Sequence, residues 1–475
     1  MISLDRDSSV PLVNQICDGV IDAIARQVFI AGAKLPSVRR LADQLAVSSF
    51  TIASAYDRLS GLGIIQSRRG SGYYVMPPAK RPSAPATRAI TTDDLPSSGS
   101  VSVDFFREAL NTRHFALPVS CGFLPPSWIG DALSPVVTGK LMRQAFMQGE
   151  PAAIAGGEVL RERLAQRLRE LGLTADASRV LITSGATHSF YLIVQTLLSP
   201  EDVVVVEDPS YFLLQMRRSD ARISARMMSV PRKEDGPDLD ALEALCKTHR
   251  PKLILTQTLA HNPLGGNTSM AVGHRLLRLA EEYDFYIIED DIFGDLAGKD
   301  RFYLSQLNGS GTKQRVFYIS SFSKTLSASV RVGFMLAPPE LMSPLLETKV
   351  ATVLSGSLLD ETLVQHVLES GRFQRHTEKL RERVWQARAK TVQALKKMGV
   401  MENDPPQDGL FLWAKMPDGV DVPALIDEAR QRSIFLCSGD IFSQKPGAER
   451  YLRLNVSYAC QPAFLEWLAG VVAQS

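Results

Sequence analysis

The segment Ser320-Ser321-Phe322-Ser323-Lys324-Thr325-Leu326, followed by Arg331-Val332-Gly333-Phe334, carries the clearest chemical signal in this sequence. It comes directly after the apolar run Val316-Phe317-Tyr318-Ile319, so Lys324 is expected where a buried strand gives way to a loop. A lysine in such a place can form a Schiff base with a carbonyl cofactor, because desolvation and nearby charge activate its amine. A phosphate on that cofactor would find hydroxyl and guanidinium donors in Ser321, Ser323 and Arg331. The alternative interpretation is a surface lysine in a polar loop.

The composition predicts a globular protein of more than one domain. A chain of 475 residues with a hydrophobic fraction of 45% is long and apolar enough for two or more cores. The polar N-terminus and the short apolar runs predict neither a signal peptide nor a membrane partner. The five cysteines are odd in number and never spaced as C-x-x-C, which favours the reducing cytoplasm and argues against a structural zinc site. Because the net charge of the protein is only +2, its composition does not indicate a nucleic-acid partner. Local motifs have to show such a partner.

Residues 1–76 have the pattern of a small helical domain that ends in a hairpin. Residues 64–75 predict two short strands around the basic, glycine-rich tip Arg68-Arg69-Gly70. Helix, short turn, helix and basic hairpin is the layout of a winged helix-turn-helix, a reader of double-stranded DNA. The alternative is a small structural three-helix cap. The predicted helices, from the spacing of apolar residues and their flanking caps, are 11–29, 37–45 and 50–62.

Two stretches of this domain resemble the GntR-type bacterial regulators. Residues 35–48 read L-P-S-V-R-R-L-A-D-Q-L-A-V-S, and residues 68–75 read R-R-G-S-G-Y-Y-V. The resemblance implies binding of a double-stranded DNA operator, with Arg39 on a phosphate. The start of the recognition helix would enter the major groove, and the wing would follow the backbone or the minor groove. The residues implied in these two places are Ser48, Ser49, Thr51, Arg68, Arg69 and Gly70.

The sequence departs from this family at one position that bears on DNA sequence preference. Many members carry an arginine directly after V-S, which suits bidentate contact with guanine. Here Ser49 stands at that position and Phe50 follows it. Phe50 has two interpretations, contact with a thymine methyl group or packing into the domain. The operator sequence therefore cannot be read from these residues.

Residues 77–103 and 104–475 complete the predicted domain plan. The first is a linker in which prolines are interleaved with Ala, Ser, Thr and Lys without apolar periodicity, so we expect a flexible tether. In the second, continuous apolar runs alternate with helical stretches, which indicates an α/β fold whose mostly parallel sheet is covered on both faces. The predicted strands are 180–183, 203–206, 253–256, 286–289, 316–319 and 333–336.

Polar residues follow these strands, at the ends where parallel sheets bind ligands. Ser184-Gly185-Ala186-Thr187 follows the first run and predicts a phosphate cradle at a helix N-terminus or an ordinary helix start. His261-Asn262-Pro263-Leu264-Gly265 follows the third run and forms at least a turn. The acidic pair Asp290-Asp291 follows the fourth run. It has three interpretations: a metal-ligand set, a helix cap, or the partner of a protonated ring nitrogen.

The lysine segment, written S-F-S-K-T-x(5)-R-x-G, resembles the cofactor-lysine segment of fold-type I aminotransferases, which use pyridoxal 5′-phosphate (PLP). The other segments agree with that family in their order along the large domain. The resemblance implies PLP joined to Lys324, and a small C-terminal α+β subdomain. Tyr211 would stack on the cofactor ring, although a core tyrosine is the other interpretation. Asn262 would hydrogen-bond the O3′ oxygen of the cofactor, and Asp290 would pair with its ring nitrogen.

Further implied roles concern a small ligand and a second subunit. Arg453 falls where relatives hold the α-carboxylate of a substrate bidentately. A GntR-type reader joined to an aminotransferase-type domain is the plan of the MocR subfamily of bacterial regulators, which implies a head-to-tail homodimer. Its DNA binding would be tuned by an effector, either an amino-carboxylate compound or PLP itself.

Three functions compete for this sequence. The leading one is a transcriptional regulator with an aminotransferase-type sensor, and the second is a working PLP-dependent aminotransferase with a DNA-binding domain attached. The third, a scaffold that binds no PLP, is disfavoured because Lys324, Asp290, Asn262 and Arg331 are all present. Relatives that transaminate usually place a tyrosine three residues after the aspartate, where it donates to O3′. Phe293 stands there and cannot donate, which predicts slow turnover.

Overall fold

The structure, a computed structural model, describes residues 12–25, 28–61, 63–68, 71–76, 101–129, 132, 135–211, 225–298, 301–307, 313–401, 405–406 and 408–473. The chain divides into two compact units, residues 1–96 and 97–475. Residues 77–100 of the predicted linker lie outside the described residues. Residues 101–103 belong instead to a helix, which buries Phe105 and Ala109 on one face. Within the described ranges, no helix has both the length and the apolar character that crossing a membrane requires.

The N-terminal unit has the predicted winged helix-turn-helix arrangement. Its described elements are α1 (Leu12–Ala25), α2 (Val38–Leu45), α3 (Ser49–Gly61), β1 (Ile65–Arg68) and β2 (Gly72–Val75). The side chains of Ile16 and Val20 on α1 and of Ile52 on α3 are buried together in one core. Ala46 adopts the left-handed conformation at the end of α2 and so allows the tight turn before α3. β1 and β2 pair antiparallel as the wing.

The large unit is built on one mixed sheet. Its strands are β3 (Val180–Thr183), β4 (Val203–Asp208), β5 (Arg226–Lys233), β6 (Gly236–Pro237), β7 (Leu253–Thr256), β8 (Tyr286–Asp290), β9 (Val316–Ser321) and β10 (Gly333–Leu336). They lie in the order β3-β10-β9-β8-β7-β4-β5-β6. Strands β5, β4, β7, β8 and β9 run parallel, whereas β10 is antiparallel to both of its neighbours. The predicted, mostly parallel sheet is confirmed, and the carboxyl ends of β4, β7, β8 and β9 share one edge.

Helices cover both faces of this sheet. The described helices of the large unit are α4 (Val101–Leu110), α5 (Pro126–Ile129), α6 (Pro135–Gln148), α7 (Glu158–Glu170), α8 (Ala186–Leu197), α9 (Leu239–His249), α10 (Met270–Tyr283), α11 (Met342–Thr352), α12 (Leu358–Glu369), α13 (Arg372–Lys397), α14 (Val422–Gln431), α15 (Val456–Ala459) and α16 (Pro462–Val472). Alternate residues of a strand point to opposite faces. Val204 of β4 is therefore buried in a core with α8 and α11, and Val205 in another with α9 and α10.

A separate two-stranded sheet marks the C-terminal subdomain of the large unit. Its strands β11 (Phe411–Lys415) and β12 (Tyr451–Asn455) pair antiparallel, with Trp413 opposite Arg453. The chain after α4 runs along this subdomain, because the Leu117 amide donates to Ser433 O at 3.2 Å and the Ser120 amide donates to Phe435 O at 3.0 Å. This path carries residues 120–123 to the ligand edge of the large sheet.

Candidate functional site

Lys324 lies just beyond the end of β9, as predicted, and its amine is partly buried. Its Nζ donates to Gly122 O at 2.8 Å and lies 4.1 Å from the centre of the Phe123 ring. Burial lowers the pKa of Lys324 to about 8, and the positive charge of Arg453 adds to the effect. A larger fraction of this amine is therefore neutral and nucleophilic near pH 7 than for a lysine in water. The surface-lysine interpretation is wrong for this residue.

A compact group of donors surrounds the start of α8 beside this lysine. Arg331 donates through Nη1 to Ser323 Oγ at 3.0 Å and through Nη2 to Ser184 O at 3.1 Å. The Ser321 hydroxyl donates to Ser323 Oγ at 3.0 Å. Gly185, with a φ of +91°, is the N-cap of α8, so Ala186 and Thr187 form the first turn.

Two glycines leave the space that this group of donors needs. A Cβ on Gly185 would lie 2.7 Å from Arg331 Nη2, and a Cβ on Gly333 would lie 2.5 Å from the Gly185 backbone carbon. Side chains at either position would push the arginine and the helix start apart. Hydroxyls, a guanidinium and the N-terminus of α8 thus form a cradle that fits a phosphate group.

Asp290 ends β8 and is almost completely buried, with 2% of its surface exposed. Its Oδ2 accepts a hydrogen bond from Gln257 Nε2 at 2.7 Å. Its Oδ1 is buried and has no hydrogen-bond partner in the part of the chain that the structure describes. Burial raises the pKa of Asp290 to about 7. A protonated ring nitrogen would supply both the missing donor and the missing charge, so this carboxylate fits the cofactor.

The carboxylates on either side of Asp290 accept hydrogen bonds from the protein itself. Glu289 accepts hydrogen bonds from the Thr258 hydroxyl, the Leu304 amide and both donors of Ser305. Asp291 accepts one from the Tyr318 hydroxyl. Each carboxylate in this run therefore has its own hydrogen-bond donors.

Arg453 lies in the middle of β12 with only 1% of its surface exposed. Its Nη1 donates to Asn262 Oδ1 at 3.1 Å, and its Nη2 donates to Ser120 O at 2.6 Å. The rings of Phe442 and Phe411 lie 4.2 and 4.5 Å from its guanidinium carbon. Arg453 Nε lacks a hydrogen-bond partner among the described residues. The guanidinium is thus rigidly placed beside Asn262, with bonds to neutral oxygens that an anionic carboxylate can replace.

The residue before Asn262, His261, belongs to a buried charge network. Arg232 Nη1 donates to both oxygens of Glu207, at 3.0 and 2.9 Å, and His261 Nε2 lies 2.7 Å from Glu207 Oε2. Burial raises the pKa of Glu207, but Arg232 and His261 outweigh it and bring that pKa down to about 2. Burial and the charge of Arg232 lower the pKa of His261 to about 4, so the imidazole is neutral at pH 7.

Two aromatic residues complete the predicted set. The Tyr211 amide donates to Asn262 O at 3.2 Å, and the Tyr211 ring meets the Phe106 ring edge-on at 6.2 Å. Phe293 is buried, with its ring centre 5.7 Å from Lys324 Nζ and 5.4 Å from the Phe411 ring. Phe293 therefore lies at the site and offers it no hydroxyl.

The structure brings in residues that sequence motifs did not indicate. Gln257 and the carbonyls of Ser120 and Gly122 contact Asp290, Arg453 and Lys324 respectively. Gln257 follows β7 directly, so its place after a strand was the only available signal.

The predicted DNA-contacting residues of the N-terminal unit lie on its surface as far as they are described. Arg39 is exposed on α2, and Arg68 is exposed on β1 with its guanidinium carbon 4.5 Å from the Tyr74 ring centre. Ser48, Ser49 and Thr51 stand at the start of α3. Phe50 is 81% exposed, so its inward-packing interpretation is wrong. Arg69 and Gly70 lie outside the described residues.

Comparison with known proteins agrees with both units. The model of the family "Aminotransferase class I and II" matches residues 151–470, and the model of "Bacterial regulatory proteins, gntR family" matches residues 12–75. The uncharacterized HTH-type transcriptional regulator YisV of Bacillus subtilis is 25% identical over 470 residues, which cover 96% of this chain and 94% of YisV. The probable rhizopine catabolism regulatory protein MocR of Rhizobium meliloti is 28% identical over 404 residues, with 83% and 79% coverage.

Solved structures agree with the fold of the large unit. The crystal structure of an archaeal alanine:glyoxylate aminotransferase matches it with a TM-score of 0.70 at 25% identity, over 79% of this chain and 96% of that one. The aminotransferase family depends on PLP, and the donors around Lys324 fit that cofactor. The chain therefore belongs to the aminotransferase class I and II family, preceded by a gntR-type DNA-binding domain, the domain plan of the MocR subfamily of transcriptional regulators.

Proposed function

We propose that this protein is a transcriptional regulator that binds an operator through its N-terminal unit and senses a small amino-carboxylate compound, or PLP itself, through its large unit. One observation carries the sensing role. Residues 120–123 cap both cations of the site, since Gly122 O accepts from Lys324 and Ser120 O accepts from Arg453. The same segment follows α4, a described helix at the start of the large unit, so a ligand that replaces these carbonyls would move the segment that leads into the sensor domain.

The cofactor we propose is PLP, bound covalently by the amine of Lys324. The cradle of Ser184, Gly185 and Arg331 would hold its phosphate, and Asp290 would hold its ring nitrogen in the protonated form. When bound, PLP supplies an electron-withdrawing ring that reacts with amines. Phe123 and Phe293 lie beside the amine of Lys324, and burial lowers the pKa of that amine.

The carboxylate of the effector would replace Ser120 O as the acceptor of the hydrogen bond from Arg453. A carboxylate makes a stronger, charge-assisted hydrogen bond with Arg453 than the neutral Ser120 O does. The amine of the same molecule would compete with Lys324 for bound PLP and would take the place of Lys324 Nζ as the donor to Gly122 O. Asn455 holds the segment from the other side, because its Nδ2 donates to Cys121 O at 3.0 Å and to Phe123 O at 2.8 Å. The 120–123 segment is thus placed to respond to an amino-carboxylate.

A homodimer, head-to-tail as in the family, is part of the proposal. On α6, Phe146 and Met147 are 75% and 78% exposed. A mostly apolar cavity of about 500 Å³ in the same unit is lined by Ile154, Leu346 and Val350 among others. Exposed apolar surface of this kind is typical of a protein–protein interface. Two copies would present two readers, which requires an operator with two half-sites.

A paired titration tests the regulatory function. The purified full-length protein, loaded with PLP, is titrated with a panel of amino acids while its absorbance and its affinity for the selected operator are recorded. We expect at least one amino compound to change both. Brisk transamination, with no amino compound altering DNA binding, would support the second candidate function, a PLP-dependent aminotransferase carrying a DNA-binding domain.

A substitution at Phe293 provides a measurement that distinguishes a sensor from an enzyme. Phe293→Tyr should lower, by about one to two pH units, the pH at which the visible spectrum of the PLP-loaded protein titrates. One added charge-assisted hydrogen bond is worth about 1.5–3 kcal/mol, and 1.36 kcal/mol corresponds to one pKa unit. The unaltered protein should transaminate more slowly than about one turnover per second, the lower end of the usual enzymatic range. An unchanged titration midpoint in the variant would contradict this role of position 293.

Arg68 is expected to contact DNA phosphate rather than bases. Arg68→Ala should weaken binding to all duplexes alike and reduce the slope of log affinity against log salt by about one, because one fewer counterion is released. The measurement compares the operator with an unrelated duplex at several salt concentrations. Arg163→Ala is the matched control and should leave the slope unchanged, because this half-buried arginine lies on α7 of the large unit, where its Nη1 donates to Gln166. A loss confined to one sequence would show a base contact instead.

A further inference from the structure

We propose that Phe50 determines operator preference through apolar contact of its ring with a thymine methyl group in the major groove. This inference rests on the proposed function, since it requires the N-terminal unit to bind DNA. It assigns the readout to an aromatic side chain directly after Ser49, the position at which many GntR-type regulators carry an arginine. The partner it specifies is a duplex with thymine at one step of each half-site.

The orientation of α3 places Phe50 on the outside of the domain. Ile52, Ala55 and Leu59 on the same helix are completely buried, which fixes the face that α3 turns to the core. Phe50, the second residue of α3, is 81% exposed, the largest exposed fraction among the large apolar side chains of the described residues. An aromatic ring exposed at the start of a recognition helix is in the part of the domain that enters the major groove, where it can contact a base.

The polar side chains around Phe50 are largely committed within the domain. Ser48 Oγ accepts from the Thr51 amide at 3.0 Å, and the hydroxyls of Ser48 and Thr51 are hydrogen-bonded to each other at 2.7 Å. These bonds cap α3 and leave less hydrogen-bonding capacity for a base edge. Phe50 is consequently the largest group that this end of the helix offers. In the major groove the 5-methyl group of thymine is the apolar feature that a phenylalanine can contact.

Positive charge on the neighbouring elements fits a nucleic-acid partner. Arg39 and Arg40 are exposed on α2, and Arg68 is exposed on the wing. These side chains can bind phosphates on either side of the groove and so set the position of α3 in it. Phosphate contacts carry no sequence information, which leaves the preference to the start of α3.

Removal of single methyl groups from the DNA tests this directly. The full-length protein first selects its sites from a pool of random duplexes. Each thymine of a selected site is then replaced, one at a time, by deoxyuridine, which lacks only the 5-methyl group. At one thymine in each half-site the replacement should weaken binding about four-fold, the effect of losing one buried methyl group. Phe50→Ala and Phe50→Ser should each bind the thymine and the deoxyuridine duplexes equally.

The controls separate this inference from the function on which it rests. Ile30→Ala should keep the full four-fold discrimination between thymine and deoxyuridine duplexes. Ile30 precedes α2 in the same unit and is 64% exposed. Phe50→Ala should keep the salt slope of the unaltered protein, since no charge is removed. Sequence-selective binding that is insensitive to every methyl removal, or equally sensitive in Phe50→Ala, overturns the role of Phe50 alone. Failure to select any duplex overturns the DNA-binding function and this inference together.

Discussion

Lys324→Ala should remove the visible absorbance band that the PLP-loaded protein shows in the absence of amino compounds. The reason is that Lys324 Nζ is the amine to which we assign the covalent bond, whereas the cradle around Arg331 holds only the phosphate. Borohydride reduction followed by peptide mass analysis measures the bond itself. The cofactor mass should appear on the Lys324 peptide of the unaltered protein and on no peptide of the variant.

The low pKa of Lys324 adds a pH dependence to this experiment. Only the neutral amine attacks a carbonyl, and a pKa near 8 instead of 10.5 raises its neutral fraction at pH 7 about 300-fold. The rate of PLP attachment to the apoprotein should therefore rise with pH and level off above about pH 8. Lys247→Ala, an exposed lysine paired with Glu243 on α9, is the matched control and should keep the band. A band that survives in Lys324→Ala would refute the assignment.

Arg453→Ala should raise the effector concentration for half-maximal response about 30-fold or more. Removing one partner of a buried, hydrogen-bonded charge pair costs about 2–5 kcal/mol, and Arg453 is the guanidinium we assign to the effector's carboxylate. The measurement is the operator affinity of the PLP-loaded protein across an effector titration. Arg453→Lys should respond at an intermediate concentration, because it keeps the charge and loses the bidentate geometry.

A retained PLP band in Arg453→Ala would show that the site is still folded. Arg432→Ala provides the matched control, since that arginine is exposed and pairs with Glu428 on α14. An unchanged effector response in Arg453→Ala with PLP bound would rule out the carboxylate role. The Lys324 and Arg453 variants thus test the covalent bond to PLP and the carboxylate contact of the effector separately.

Much of the architecture could be predicted from local sequence, for a physical reason. Strands buried on both faces must be apolar at every position, so continuous runs such as 203–206 and 253–256 located the sheet. The winged helix-turn-helix domain could also be predicted, because its helices, turn and basic wing are each specified by residues that are close together in the sequence. Lys324, Asn262 and Asp290 were identifiable because each follows a strand within a short motif. Their grouping at one edge follows from parallel strand direction.

Only the tertiary structure determined two features. One is the contacts between residues that are far apart in the chain, and the other is whether a helix residue faces the core or the solvent. The carbonyls of Ser120 and Gly122 meet Arg453 and Lys324, which are 333 and 202 residues away along the chain. A backbone carbonyl has no residue type, so no motif could indicate these contacts. Phe50 suited both the core and the surface by its chemistry, and the burial of Ile52 on the same helix decided between them. Periodicity locates a helix, but only its packing against the rest of the domain shows which residues remain for a partner.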